Sequence, residues 1–383
     1  MTTLTSKLPS VVTTIFTTMS ALAAEVGAIN LSQGFPDYEC SAELIELVNK
    51  AMKDGHNQYA PMAGVLALRE QIAIKTEKLY GAKYDPGTEI TVTAGGTQAI
   101  FTAICTVVNP NDEVIIFEPA FDCYAPAIKL MGGVVKAMEL QPPNYRIDWE
   151  MVKKLVTNRT KLIIINSPHN PTATTLHKED IDALMTLIKG RDIFIISDEV
   201  YEHLIYDGAT HHSMARYPEL AERSFVVASF GKLFHATGWK VGYCLAPAYL
   251  MNEFRKIHQY IVFSVNSAVQ TGIAEYLQDE QVYLHLPAFF QQKRDYFLAG
   301  LSQTKFELLP SSGSYFQLAK YGHLSNESDI DFTLRLTKEA GVAAIPTSVF
   351  YTRGTDHRII RFCFAKRQET LDNAVNRLID FKL

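Results

Sequence analysis

Six short apolar runs, rich in β-branched residues, recur between about residues 89 and 247 and alternate with amphipathic stretches. They are Ile90–Thr93, Val114–Phe117, Leu162–Ile165, Ile193–Ile196, Phe225–Ala228 and Val241–Leu245. Continuous runs of this length suit strands covered on both faces by helices, which gives an α/β fold with a mostly parallel central sheet. The chain has 383 residues, room for more than one core. Beyond about residue 270 longer helices prevail, with a few strands, one at Ile359 to Phe364. The expectation is a large domain over residues 30–270 and a smaller α/β domain made of residues 1–29 and 271–383. A helix from Thr14 to Val26, stopped at Gly27, belongs to the smaller one.

The chemically unusual residues fall just after these runs. Gly95-Gly96-Thr97 follows the first, Asn166 to Asn170 the third, Asp198 and Tyr201 the fourth, and Ser229 and Lys232 the fifth. Open α/β sheets bind ligands beyond the carboxyl ends of their strands, so four strand ends converge on one crevice.

Lys232 lies in Ser-Phe-Gly-Lys-Leu-Phe, with a hydroxyl three residues before it and a second cation, Lys240, eight residues after. An amine nucleophile must lose its proton near neutral pH, and an apolar setting beside another cation lowers its pKa. The plainer alternative is a surface lysine at a helix start. Asp198 suits a carboxylate that keeps a ring nitrogen protonated, with Tyr201 reaching the same ligand from the next turn; an N-cap is its simpler role. Asn170 stands in a proline-fixed loop and could donate an amide N–H, or merely form a turn. The Gly95-Gly96-Thr97 turn opens a helix and suits one phosphate, but lacks the dinucleotide and nucleotide-triphosphate spacings. Arg361 sits among apolar strand residues, where it either grips a carboxylate with both arms or forms an internal salt bridge.

Taken in order, Asn-Leu-Ser-Gln33-Gly34-Phe-Pro-Asp, Asn57-Gln-Tyr59-Ala-Pro, Glu118-Pro-Ala-Phe121-Asp-Cys-Tyr124, the Asn170-Pro loop, Ser-Asp198-Glu-Val-Tyr201, the lysine segment and Arg361-Phe-Cys-Phe resemble the class I/II aminotransferases. These are fold type I enzymes dependent on pyridoxal 5′-phosphate, and the chain is most similar to methionine aminotransferases and the kynurenine/glutamine aminotransferase group. The resemblance implies that Lys232 carries the cofactor and shuttles the proton. Asp198 would pair with the ring nitrogen, Asn170 and Tyr201 would contact the phenolate oxygen, and Phe121 would stack on the ring. The Gly95-Gly96-Thr97 backbone, Ser229 and Lys240 would hold the phosphate. Relatives often carry arginine where this chain has Lys240, which keeps the charge but loses the fork. Arg361, Asn170 and the Gly34 backbone would take the α-carboxylate. Tyr59 resembles a residue supplied by a neighbouring subunit, which implies a homodimer with shared sites. Phe16, Tyr59 and Phe263 match side-chain pocket positions and favour a neutral amino acid, methionine first, then glutamine, aromatic residues, leucine or kynurenine. A β-lyase acting on cysteine conjugates or other sulfur amino acids is the nearest alternative, and a non-catalytic cofactor-sensing regulatory module a remoter one.

A net charge of −5 without a Lys/Arg tract offers no surface for nucleic acid. No run approaches a membrane span, and the start of the chain lacks the pattern of a signal peptide, so a cytoplasmic location is expected. The five cysteines, Cys40, Cys105, Cys123, Cys244 and Cys363, are scattered and read as reduced, mostly buried thiols. Glu199 and His203 are four apart but have no evident third ligand, so no metal is expected.

Overall fold

A computed structural model describes residues 4–9 and 11–382; the outermost parts of the expected small domain, residues 1–3, 10 and 383, lie outside the described residues. The helix Ile15–Val26 begins at Thr14, whose hydroxyl accepts from the Thr17 N–H, and ends at Gly27. Strand β1 (Ile29–Asn30) follows it.

Seven strands form the central sheet: β2 (Ile90–Thr93), β3 (Glu113–Glu118), β4 (Val134–Glu139), β5 (Thr160–Asn166), β6 (Phe194–Asp198), β7 (Ser224–Ser229) and β8 (Gly242–Leu245). Their order is β2-β8-β7-β6-β5-β3-β4, and β8 alone runs against its neighbours. Alternate residues project to opposite faces. Thus Ile115, Ile163, Ile195 and Val226 enter one apolar cluster, while Val114, Ile164, Ile196 and Val227 enter the other. Helices cover both faces, which is why the runs read as continuously apolar. The one strand of this sheet not anticipated is β4. It lies at the edge, where Val134 is exposed and most of the rest half-buried, so its mixed sequence carries no such run.

The later strands are β9 (Glu307–Leu308), β10 (Phe316–Lys320), β11 (Val342–Ala343), β12 (Ile345–Pro346) and β13 (Ile359–Cys363). Four of them make an antiparallel sheet in the order β12-β13-β10-β9, so β13 is internal and Arg361 faces Leu318 and Ile345 in register. β1 pairs in parallel with β11 through Ile29↔Val342. Met19 and Ala23 of the first helix pack with Ala343, Ile345 and Phe350, so the beginning of the chain is fastened to its final third. All five cysteines are free; Cys244 and Cys363 are buried, but Cys40, Cys105 and Cys123 are only half-buried, fewer than expected. Among the described residues no helix is long and apolar enough to cross a membrane.

Candidate active site

A cavity of about 260 Å³ opens where the carboxyl ends of β2, β5, β6 and β7 meet the start of β8. Phe16, Gln33, Gly34, Phe35, Phe316 and Arg361 complete its wall. Every site residue expected from sequence lines it except Tyr59 and Phe263. Those two are 80% and 53% exposed and pack edge to face at 5.1 Å, away from this cavity. Neither side chain lines this cavity in the single chain; both stand on its surface.

Lys232 lies on the one-turn helix Phe230–Leu233 directly after β7. Its Nζ donates to the Gly34 carbonyl at 2.6 Å and to the Tyr315 hydroxyl at 2.8 Å. Burial lowers the amine to about 8, helped by the nearby Arg361 and Lys240 charges. A neutral fraction is thus available close to neutral pH.

Asp198 ends β6 and is 3% exposed. Burial raises its carboxyl to about 6, against hydrogen bonds from the Tyr124 hydroxyl at 2.5 Å and the Val200 N–H at 3.3 Å. Tyr201, also buried, has its phenol pushed up by burial. Asn166 ties the Asn170 loop to this turn, since its amide donates to the Asp198 carbonyl at 2.9 Å and its carbonyl accepts from the Asn170 N–H at 2.8 Å. Beneath lies a buried ion pair, Lys75 Nζ to Glu202 at 2.6 Å, with the Tyr243 hydroxyl 3.0 Å from each.

At the other end, Gly95 precedes the helix Gly96–Val107, whose first N–H groups have no intrahelical partner. Lys240 brings its ammonium over this turn; a Cβ on Gly95 would meet Nζ at 3.2 Å. Ser229 makes no capping hydrogen bond with its side chain and shares the wall with Thr237. Dipole, free N–H groups and cation together form an anion pocket.

Arg361 is 1% exposed and has no carboxylate within ion-pair distance among the described residues. Its guanidinium donates to Asn170 Oδ1 at 2.7 Å and to the Ser32 carbonyl at 3.0 Å, and lies 3.9 Å from the centre of the Phe316 ring. Nε is buried without a partner. Burial lowers this group to about 10. Among the described residues the internal salt bridge considered from sequence is absent, and Nε keeps its donor uncommitted. Because Asn170 Oδ1 accepts from Arg361, its NH₂ points elsewhere and is free to donate.

Sequence reasoning missed Tyr124, Asn166 and Tyr315. Tyr124 and Asn166 lie in segments already quoted as motifs, but a hydrogen bond across 74 positions, as from Tyr124 to Asp198, leaves no local mark. Tyr315 sits in Gly-Ser-Tyr-Phe, where nothing separates it from a core aromatic.

The family model for aminotransferases of class I and II matches residues 26–378. The chain is 52% identical to the methionine aminotransferase of Escherichia coli strain K12 over 374 residues, 97% of each chain. It is 33% identical to human kynurenine–oxoglutarate transaminase 1, with 94% of each covered. The solved structure of YbdL from Escherichia coli, for which a methionine aminotransferase function is described, superposes with a TM-score of 0.97 at 51% identity, covering 99% of this chain and 100% of that one.

Proposed function

The chain belongs to the class I and II aminotransferases and is a pyridoxal-phosphate-dependent transaminase, and from that premise we propose that it transfers the amino group of a neutral L-amino acid, methionine foremost, to a 2-oxo acid by ping-pong exchange. The observation that carries the choice of a neutral donor is the charge inventory of the cavity. Its charged groups among the described residues are Asp198, Lys232, Lys240 and Arg361. Once Lys232 serves the cofactor, Lys240 the phosphate and Arg361 the α-carboxylate, this chain leaves no cation in the cavity for a second carboxylate. Phe16, Phe35 and Phe121 leave an apolar wall that suits an unbranched thioether or an aromatic ring. The similarity to a methionine aminotransferase points the same way.

The residues present suit pyridoxal phosphate: a partly neutral amine, a buried carboxylate, an anion pocket and a guanidinium with a spare donor. When bound, the cofactor supplies the electron sink that lets an amino acid release its α-proton. Lys240, Ser229, Thr97 and the N–H groups after Gly95 would hold the phosphate. Asp198 would keep the ring nitrogen protonated, aimed by Tyr124 and the Val200 N–H. Asn170 and Tyr201 would donate to the phenolate oxygen, and Phe121 would lie on the ring. Arg361, with the Gly34 backbone, would orient the amino acid through its carboxylate, and Lys232 Nζ would take the α-proton and return it. On this reading residues 30–270 form the cofactor-binding domain, and residues 1–29 with 271–383 form the small domain that delivers Arg361. The enzyme works in the cytoplasm as a homodimer whose sites receive Tyr59 and Phe263 from the other subunit.

The test is a panel of donors with the purified holoenzyme: methionine, glutamine, leucine, phenylalanine, kynurenine and aspartate, each against several 2-oxo acids. The absorbance of the bound cofactor reports the half-reaction. Methionine is expected to give the highest kcat/KM; aspartate outrunning every neutral donor would overturn the assignment.

A further inference from the structure

Lys232 Nζ is held by two acceptors that come from opposite ends of the chain, the Gly34 carbonyl at 2.6 Å and the Tyr315 hydroxyl at 2.8 Å. The Tyr315 hydroxyl itself donates to the same Gly34 carbonyl. Its proton is thereby committed, so towards the amine it can only accept. The ring is fully buried and wedged edge to face against Tyr201 and Phe316, each at 5.0 Å. Gly34 is fixed by the same aromatics, for a Cβ there would fall 2.9 Å from the Phe316 ring. Packing from both sides thus places the two acceptors where the amine meets them.

We propose that Tyr315 is a positioning residue which, with the Gly34 carbonyl, docks the Lys232 amine whenever it is free of the cofactor. The docked amine stays on the side of the cavity where the amino acid is gripped, so the proton it carries is delivered from one fixed place. Charge strengthens both hydrogen bonds, so the dock favours the protonated amine. Other groups facing Nζ act alongside: Arg361 and Lys240 disfavour its charge, while Asp198 and the Cys363 thiol favour it. The phenol of Tyr201 lies against the amine with its ring, 5.7 Å away at the centroid.

The inference rests on Lys232 being the cofactor lysine, so borohydride reduction of the wild-type holoenzyme and mapping of the labelled peptide come first. A cofactor fixed elsewhere would sink that assignment by itself. With Lys232 confirmed, wild type and Tyr315→Phe are stripped of cofactor. Competitive acetylation then follows the Lys232 peptide across pH, and absorbance follows the recapture of pyridoxal phosphate. Losing one hydrogen bond to a charged group should lower the labelling midpoint by about one pH unit and speed labelling and recapture near neutral pH by about fivefold. An unchanged midpoint and unchanged recapture rate, in a variant whose melting temperature matches wild type, would overturn the proposal. Tyr315→Met, a flexible filler without the hydroxyl, supplies the same comparison should the phenylalanine variant fold poorly.

Discussion

Asp198 is a carboxylate held where a carboxylate is least comfortable. Its pKa in the folded, cofactor-free chain is raised from 3.8 to about 6, first because it is buried. A folded-state value above the unfolded one contributes stability that is complete below the unfolded pKa and is lost as pH rises through 6. At neutral pH the ionised side chain therefore costs the apoprotein up to roughly 3 kcal/mol. Asparagine can still accept from the Tyr124 hydroxyl. Asp198→Asn should accordingly stabilise the cofactor-free chain at pH 8, by about 1–3 kcal/mol in urea unfolding, and the gain should shrink steadily towards pH 5. A gain independent of pH would mean that packing, not charge, sets the difference. The same substitution should weaken the holoenzyme's chemistry, because an amide cannot hold a ring nitrogen protonated.

Among the elements, β8 is the strand that shapes the anion pocket. Gly242 pairs with Thr93 of β2 and Ser229 of β7. A Cβ there would meet backbone on three sides, the Ala228 carbonyl at 2.7 Å, Gly95 C at 3.0 Å and Gly96 N at 3.1 Å. Gly242→Ala must push the strand off the Gly95–Gly96 turn. Overpacking of this kind costs about 1–3 kcal/mol, and cofactor affinity in an equilibrium titration should fall about tenfold or more. Gly238→Ala, with nothing within 4 Å of its Cβ, is the control that should change neither. The element scale is also where the sequence was most and least readable. Strands buried on both faces, such as β5 and β6, betray themselves as unbroken Ile runs, and Arg361 stood out as a lone charge in such a run. The edge strand β4 did not, because its partial exposure permits Lys136 within it and Glu139 at its end. Contacts such as Lys232 to Tyr315 depend on two sheets meeting, and no spacing within either segment encodes them.

At the scale of the whole molecule, the exposed Tyr59 and Phe263 argue for a second copy. Sedimentation should give the mass of a dimer. A sharper check mixes two damaged chains, Lys232→Ala and Tyr59→Ala, under exchange conditions. If sites are shared, each hybrid owns one site with an intact Lys232 and an intact Tyr59 from the other subunit. Activity and wild-type cofactor affinity should then appear on mixing, and their absence would confine each site to one chain. The pairing of Ile29 with Val342 has a further consequence, in time rather than space. On the ribosome Ile29 emerges long before its partner strand exists, and Arg361 emerges later still. A nascent chain thus owns its reactive lysine well before it owns the guanidinium that would seat an amino acid.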